Sequence, residues 1–247
     1  MIETSVELPE KEKLLSHIFP SLNSAAIGEL SKICIEIHFN QGELIAQEGS
    51  YASGVYIVQS GLVKIGKYSA GGRGKRVFRF LGTGELFGLE AVALEHTTNV
   101  QYAKTIMEAT LVFVERGNLL AFKEEHPELC GDFCRWLARE VVMLEFKLTR
   151  DAVESLDRNL ALLLIALAHN YGVTTDKGVV LDLPVSRQIL ADMLGVSVET
   201  LMRALKRFRE RKWLETSGKR VTITGFDSLK ERARTTPFYL SIIEETL

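Results

Sequence analysis

Polar and basic side chains recur at helical spacing around residue 200, where they could hydrogen-bond to the edges of DNA bases and to phosphates. Leu201, Leu205 and Phe208 give the predicted helix an apolar inner stripe. The residues that the same spacing places on its outer face are Glu199, Thr200, Arg203, Lys206 and Arg207. A helix with that outer face suits the major groove of DNA.

A preceding helix and a sharp turn are predicted to position this second helix. Ser186 can cap a first helix whose apolar residues lie at helical spacing, namely Ile189, Leu190, Met193 and Leu194. Gly195 supplies the backbone freedom that a tight turn between helices needs, and Ser197 can cap the second helix. Because the turn is short, the two helices must cross.

Two short alternating segments after the second helix predict a hairpin. Residues 213–216 and 220–224 flank Ser217, Gly218 and Lys219, which form a turn. The hairpin would add a basic wing beside the second helix. The whole stretch therefore predicts a winged helix-turn-helix, and a small helical domain with a solvated basic face is the alternative.

The charge distribution favours the winged helix-turn-helix. Residues 184–235 contain 12 Lys and Arg against 6 Asp and Glu, whereas the whole chain has a formal net charge of −2. Basic charge is thus concentrated where DNA would lie. It predicts salt-sensitive binding, although phosphate contacts carry no base information by themselves.

Length and composition indicate a soluble chain of two domains. The 247 residues, of which 46% are hydrophobic, suffice for two cores, and no apolar run is long enough to cross a bilayer. The acidic first residues lack the order of a secretion signal, and three cysteines do not make a disulfide framework. We therefore expect a cytoplasmic location and no membrane partner.

Short strands separated by glycines dominate the first half of the chain. Eleven of the 19 glycines lie between Gly42 and Gly88. They separate the predicted strands 54–58, 62–65 and 77–81, residues 33–39 alternate before them, and residues 111–114 supply a late strand. Many short strands predict a double-sheet barrel of jelly-roll type, and hence an α+β fold class for the whole chain.

A seam of apolar residues follows the barrel at spacings of four and three. Its members are Cys130, Cys134, Leu137, Val141, Leu144 and Leu148. A single helix cannot bury such a seam, so either the barrel or a second subunit must cover it, and we favour a homodimer. The resulting domains are 1–126 (barrel), 127–156 (dimer helix and hinge), 157–235 (winged helix-turn-helix) and 236–247 (tail).

The order of barrel, dimer helix and winged helix resembles the CRP/FNR family of bacterial transcription regulators, from about residue 15 to residue 227. The most specific segments are GELFGLEAVALEH at 84–96, QSGLVKI at 59–65 and GVSVETLMRALKRF at 195–208. The resemblance implies that a signal in the barrel reorients the DNA-binding domains through the dimer helices. It also implies that the bound protein recruits or blocks RNA polymerase.

The resemblance assigns base contacts within the second helix. In the family's E-x-x-x-R pattern the acid accepts from a cytosine and the arginine donates to a guanine, which implies these roles for Glu199 and Arg203. Val198 matches the fumarate and nitrate branch and implies a TTGAT-like half-site, whereas Met202 departs from that branch. The residues expected to contact DNA are Ser186, Arg187, Ser197, Val198, Glu199, Thr200, Met202, Arg203, Lys206, Arg207, Lys219 and Arg220.

The barrel departs from the cyclic-nucleotide pattern of the family. The implied effector pocket comprises Phe87, Gly88, Leu89, Glu90, Thr97 and Thr98. Leu89 stands where the catabolite activator branch has a glutamate for the ribose, and Thr97 and Thr98 stand where it has an arginine and a serine for the phosphate. Without a cation the phosphate loses its strongest partner. A cyclic nucleotide stays an alternative if Glu90 shifts by one position and Arg73 or Arg79 reaches inward.

The sequence leaves other signals open. Residues 1–33 contain no cysteine, so the iron–sulfur pattern of the fumarate and nitrate regulator is absent. Cys34, Cys130 and Cys134, with His126 a turn before Cys130, could form a thiol switch or bind zinc or copper(I), but we favour apolar packing for the cysteines. His38 and His96 are candidate haem ligands.

A barrel without any ligand is a further alternative, with activity set by protein abundance. The side chains that could fill it are Phe78, Phe80, Leu86, Phe87, Leu89 and Tyr102. The cofactor therefore stays unknown, and no metal site is predicted. No constellation of nucleophile and activating base is evident, so we expect a protein that is not an enzyme.

Overall fold

The computed structural model describes residues 9–68, 75–94, 98–153, 156–181, 186–218 and 220–233. The chain divides into two units. The first contains the residues up to Val141 except Val77–Arg79, and the second contains Val77–Arg79 and the residues from Val142 onward. Arg73, His96, Thr97, Lys219 and the 236–247 tail, for which the sequence makes predictions, lie outside the described residues.

Two helices and two sheets make up most of the first unit. Helices α1 (Glu10–Ile18) and α2 (Ser24–Ile33) come first. The strands and one short helix that follow are β1 (Cys34–Phe39), β2 (Leu44–Ala46), β3 (Gly54–Ser60), β4 (Val63–Tyr68), β5 (Lys75–Leu81), β6 (Leu86–Phe87), α3 (Glu90–Ala93), β7 (Tyr102–Thr105) and β8 (Ala109–Glu115). The sheets have the orders β1-β8-β3-β6 and β2-β7-β4-β5. This pairing of strands distant in sequence confirms the predicted jelly roll.

The sheet β1-β8-β3-β6 has cores on both faces, because successive residues of a strand point to opposite sides. Ile57 and Val112 join a buried cluster with residues of α1 and α2. Val58 and Leu111, at the neighbouring positions of β3 and β8, are also fully buried. The alternation predicted for residues 33–39 is different, since Ile33 ends α2 and Ile35 is 55% exposed on the edge strand β1.

A long helix that begins in the first unit carries two different faces. Helices α4 (Arg116–Glu125) and α5 (Leu129–Val153) follow β8. Leu129 and Phe133 of α5 are buried in the cluster that contains α1 and α2, and the ring of Phe133 meets Phe19 edge to face with centroids 6.0 Å apart. Burial of this face anchors the start of α5.

The predicted seam lies on the exposed side of α5. Leu137 is 43% exposed, Val141 53% and Leu144 44%, and Cys130 and Cys134 are exposed as well. The side chain of Leu148 lies outside the described residues. The protomer therefore leaves this stripe uncovered, and our expectation that its cysteines are packed in an apolar core does not hold within one chain.

The second unit combines a buried helix with a four-stranded sheet. Its elements are α6 (Leu156–Tyr171), β9 (Gly172–Thr175), β10 (Gly178–Leu181), α7 (Arg187–Leu194), α8 (Val198–Glu210), β11 (Leu214–Ser217), β12 (Arg220–Ile223) and α9 (Phe226–Ala233). Leu160 and Leu164 of α6 are fully buried, as their apolar setting predicts. Hairpin β11–β12 confirms the predicted wing.

Hairpin β9–β10, which the sequence patterns do not predict, extends the wing into a sheet of order β11-β12-β10-β9. Gly178 is required in this sheet, because its φ is +123° and a Cβ there would lie 2.0 Å from the Ile223 carbonyl oxygen. In the part of the chain that is described, no helix is long and apolar enough to span a membrane.

Asp132 should contribute to the stability of the first unit. Its buried carboxylate accepts hydrogen bonds from the Ser21 amide (3.2 Å) and the Ser21 hydroxyl (3.0 Å), and Arg135 donates to it as well. Asp132→Ala leaves the Ser21 groups without this acceptor, so we expect the free energy of unfolding to fall by roughly 1–3 kcal/mol in urea titrations. Glu124→Ala, at an exposed residue of α4, is the control and should change it by less than about 0.5 kcal/mol. Equal effects of the two variants would contradict this role.

Candidate nucleic-acid interface

Helix α7 begins and ends as the sequence predicts. The Ser186 hydroxyl oxygen accepts from the Ile189 amide at 3.3 Å and so caps the helix. Gly195 follows the last residue with φ +67°, and its amide donates to the last turn of α7. This left-handed residue turns the chain sharply into the next helix.

Helix α8 is amphipathic, and its inner face is fully buried. The Ser197 hydroxyl oxygen accepts from the Thr200 amide at 3.2 Å, which confirms the predicted cap. The residues buried on the inner face are Leu201, Ala204, Leu205 and Phe208. The ring of Phe208 meets Trp213 edge to face at 5.0 Å. These contacts fix the rotation of α8 about its own axis, and hence which residues point away from the unit.

The outer face of α8 presents a hydrogen-bonding surface to solvent. Glu199, Arg203 and Lys206 are exposed, Met202 is 42% exposed, and Val198 is half-buried. Glu199 and Arg203 are four residues apart and so lie on one face of the helix. The Glu199 carboxylate, which accepts hydrogen bonds, and the Arg203 guanidinium, which donates them, are therefore exposed side by side.

A short chain of hydrogen bonds orients Arg203. The Ser197 hydroxyl donates to Thr200 Oγ1 at 2.9 Å, and Arg203 Nη2 donates to the same oxygen at 3.1 Å. The guanidinium is thereby held along the first turns of α8. Lys206 faces Glu210 at 3.9 Å, an exposed pair that contributes little to stability.

The spacing along α8 predicts that Arg207 faces outward, but the structure shows it bound to another helix of the same unit. Its guanidinium donates two hydrogen bonds to the Asp157 carboxylate in the first turn of α6. This contact raises the pKa of Arg207. Arg207 therefore fastens α8 to α6, and the sequence could not indicate this because its partner lies 50 residues away.

Arg187 is likewise engaged within the unit. Its Nη2 donates to the Gly218 carbonyl oxygen at 3.1 Å, which links the start of α7 to the turn of the wing. Partial burial, with the nearby charge of Arg209, lowers the pKa of Arg187. Arg220 at the start of β12 is exposed. The wing is thus tied to α7 at its tip.

The predicted effector residues of the barrel do not form an open polar pocket where the structure describes them. Phe87 and Leu89 are buried, and a Cβ at Gly88 would lie 2.5 Å from the Gly54 carbonyl oxygen. Glu90 Oε1 accepts from Gln101 at 3.5 Å, and Thr98 pairs with Tyr51 in an isolated bridge. Among the aromatic residues expected to fill the barrel, Tyr102 is buried, whereas Phe78 and Phe80 are half-buried.

The candidate redox and haem residues differ in how far they are buried. Burial raises the pKa of the Cys34 thiol to about 12, so this thiol is protonated and unreactive at neutral pH. Cys130 and Cys134 are exposed. His38 is exposed too, and its Nδ1 lies 2.9 Å from Thr110 Oγ1.

Comparison with known proteins assigns both halves of the chain. The Crp-like helix-turn-helix domain matches residues 159–232, and the cyclic nucleotide-binding domain matches residues 36–126. The nitrogen fixation regulation protein FixK of Rhizobium meliloti is 31% identical over 173 residues, which are 70% of this chain and 74% of FixK. The chain belongs to the CRP/FNR family. It is a DNA-binding transcription regulator of this family.

Other members of the CRP/FNR family match over most of their length. The CRP-like cAMP-activated global transcriptional regulator of Mycobacterium tuberculosis is 28% identical over 217 residues, 88% of this chain and 96% of the relative. Among solved structures, FixK2 from Bradyrhizobium japonicum matches with a TM-score of 0.70 and 22% identity, covering 83% of this chain and 99% of FixK2. The latter likeness supports the fold.

Gly195 should be the residue on which the turn of this CRP/FNR helix-turn-helix depends. Its φ is +67°, and a Cβ would meet nothing within 4 Å, so Gly195→Ala adds backbone strain without a clash. We expect a loss of roughly 1–2 kcal/mol in unfolding free energy. Gly28→Ala is the matched control, because Gly28 lies inside α2 and also has nothing within 4 Å of a Cβ. It should gain roughly 0.5–1 kcal/mol. The prediction is wrong if the two variants shift stability in the same direction.

Proposed function

We propose that this regulator acts as a homodimer on a two-fold symmetric DNA site with TTGAT-like half-sites. The observation that carries the proposal is the outer face of α8, where Glu199 and Arg203 are exposed side by side on a helix whose other face is buried. A dimer would place two such helices in successive major grooves.

Base readout is assigned to Glu199 and Arg203. A carboxylate accepts from the amino group of cytosine, and a guanidinium donates to the O6 and N7 atoms of guanine. The hydrogen bond that Arg203 donates to Thr200 holds the guanidinium before DNA arrives, which reduces the ordering cost of binding. Val198 favours TTGAT over TGTGA, and the exposed thioether of Met202 can pack on a thymine methyl.

Phosphate contacts are assigned to exposed cations and to the capping residues around this face. Lys206 and Arg220 are exposed, and Ser186 and Ser197 lie at helix starts. Lys219, which precedes Arg220 in the sequence, is assigned to the same role. Arg187 and Arg207, by contrast, are assigned to hold the wing and α8 in place, because both are bound to groups of their own unit.

Dimer formation is assigned to the exposed seam of α5. An apolar stripe with Leu137, Val141 and Leu144 at spacings of four and three fits a second copy of the same helix. The opposite face of α5 is already buried in the first unit. A partner copy is therefore the occupant that also supplies the second recognition helix.

DNA binding is proposed to be independent of cyclic nucleotide, although a relative is named as cAMP-activated. Leu89, at the position of the ribose-binding glutamate, is buried in an apolar cluster and cannot accept a hydrogen bond from a hydroxyl. The signal would then act elsewhere on the barrel or the dimer helix, or protein abundance would set activity. The bound dimer would act on RNA polymerase in the cytoplasm.

Arg203→Ala should weaken binding to a TTGAT palindrome by about 1–3 kcal/mol, as expected for loss of a bidentate base contact. Gel shifts at fixed salt, with and without added cAMP, would measure this. Lys206→Ala should instead weaken binding to target and unrelated DNA alike and lower the salt slope by about 1. Lys230→Ala, an exposed cation of α9, is the control.

Two results of these gel shifts would contradict the proposal. Unchanged affinity of the Arg203 variant for the palindrome would remove it from base readout. A wild-type protein that binds the palindrome only after cAMP is added would overturn the independence from cyclic nucleotide. Binding without cAMP and a selective loss in the Arg203 variant would support both parts.

Val141→Glu should dissociate the dimer, because it places a charge in the centre of the apolar seam. Sedimentation velocity should show a dimer for the wild type and a monomer for the variant. Arg139→Glu places the same side chain two positions away, off the seam, and should leave the dimer intact. A monomeric wild type, or two variants that behave alike, would contradict the assignment of the seam.

A further inference from the structure

A histidine surrounded by three carboxylates lies in the first unit, where α4 ends and α5 begins. His126 follows α4, Glu125 is the last residue of α4, Glu29 lies in α2, and Glu128 comes just before α5. His126 Nε2 lies 3.1 Å from Glu29 Oε2, and ligand atoms of Glu29, Glu125 and His126 all lie within 4.8 Å of one another. We call Glu29, Glu125, His126 and Glu128 the His126 cluster.

The imidazole is held in a fixed orientation. Its ring stacks on Phe122 with centroids 4.3 Å apart, and the His126 amide donates to the Phe122 carbonyl oxygen at 2.9 Å. Glu128 Oε1 contacts Nδ1 at 3.3 Å, which leaves Nε2 directed towards Glu29. Metal-binding histidines are usually oriented and made more basic by a carboxylate on the ring nitrogen that does not bind the metal.

The carboxylates of the His126 cluster have no Lys or Arg partner in the part of the chain that the structure describes. The carboxylates of Glu29, Glu125 and Glu128 around one imidazole favour a positive species at Nε2, which is either a proton or a metal ion.

We propose that the His126 cluster binds one divalent transition-metal ion of the zinc class. His126 Nε2 and one oxygen each of Glu29 and Glu125 would be its protein ligands, with Glu128 orienting the ring. Zinc forms bonds of about 2.0–2.2 Å to nitrogen and oxygen, so tetrahedral ligand atoms lie roughly 3.4 Å apart. The separation of His126 Nε2 and Glu29 Oε2, 3.1 Å, is close to this, and the ligand atom of Glu125 lies within 4.8 Å of both. One imidazole and two carboxylates suit zinc or manganese better than copper(I).

An ion at this place would join three segments of the first unit. Glu29 belongs to α2, Glu125 and His126 end α4, and Glu128 stands directly before Leu129, the first residue of α5. Because the ion would bind the folded chain, it would raise the stability of this unit. The site does not depend on the proposed function, since DNA contacts involve other residues.

The test is zinc binding to the full-length chain after removal of metal with a chelator. Cys130 and Cys134 are exposed thiols that can bind zinc themselves, so every variant carries Cys130→Ser and Cys134→Ser. Isothermal titration with zinc chloride should then show one ion per protomer. Titration with cobalt(II) should give the d–d absorption of nitrogen and oxygen ligands.

Three substitutions locate the ion within the His126 cluster. Glu125→Gln should abolish stoichiometric binding, and it leaves the contacts of His126 with Glu29 and Glu128 in place, so unfolding does not explain the loss. His126→Gln should abolish binding as well, whereas Glu128→Gln should weaken it roughly 10- to 100-fold. His38→Gln, which changes an exposed histidine in the same unit, is the matched control. It should bind zinc as well as the parent does, where the parent is the chain that carries only Cys130→Ser and Cys134→Ser.

Each remaining outcome overturns the proposal. A parent protein that binds zinc at less than one ion per protomer would show that the His126 cluster is a set of ion pairs held by a proton. Full binding by the His126 and Glu125 variants would place the ion elsewhere. Zinc should also raise the thermal midpoint of the parent and leave that of Glu125→Gln unchanged.

Discussion

The two-sided character of helix α5 is the constraint on which the arrangement of this regulator depends. Leu129 and Phe133 bury one side in the first unit, and Asp132 adds hydrogen bonds from Ser21 on that side. Once that side is fixed, the rotation of the helix is fixed, and the stripe with Val141 must face outward. An apolar stripe of this length is costly to leave in water, so the same contacts that fold the protomer also prepare it for a partner.

Burial of one side also fixes the rotation of helix α8, but the side left exposed is polar. Its buried side leaves no freedom about which residues face solvent, and Gly195 sets the angle at which it leaves α7. The bond from Arg203 to Thr200 and the pair between Arg207 and Asp157 then hold the two arginines in different directions. One of them is presented outward and the other is used to fasten the helix.

Local patterns in the sequence predict the elements well, and they fail where a contact joins distant residues. The caps Ser186 and Ser197, the turn at Gly195 and hairpin β11–β12 all follow from spacing and turn chemistry. The contact of Arg207 with Asp157 does not follow from such patterns. The spacing of Arg207 along the helix predicts an outward-facing side chain, but the Asp157 carboxylate lies at the edge of the buried side and binds it. Hairpin β9–β10 was missed for a similar reason: its strands are half-exposed and gain their stability from β12.

In the barrel, Leu89 stands where the family resemblance implies a hydroxyl-binding glutamate, and it is buried as part of the packing together with the neighbouring Phe87. A ligand would have to displace these side chains, which costs apolar burial. An ion that binds at the start of α5 would displace no apolar packing. The carboxylates of the His126 cluster are exposed to water and lack basic partners in the described chain. A charge change in the His126 cluster would lie directly before α5, the helix on whose exposed stripe the proposed dimer depends.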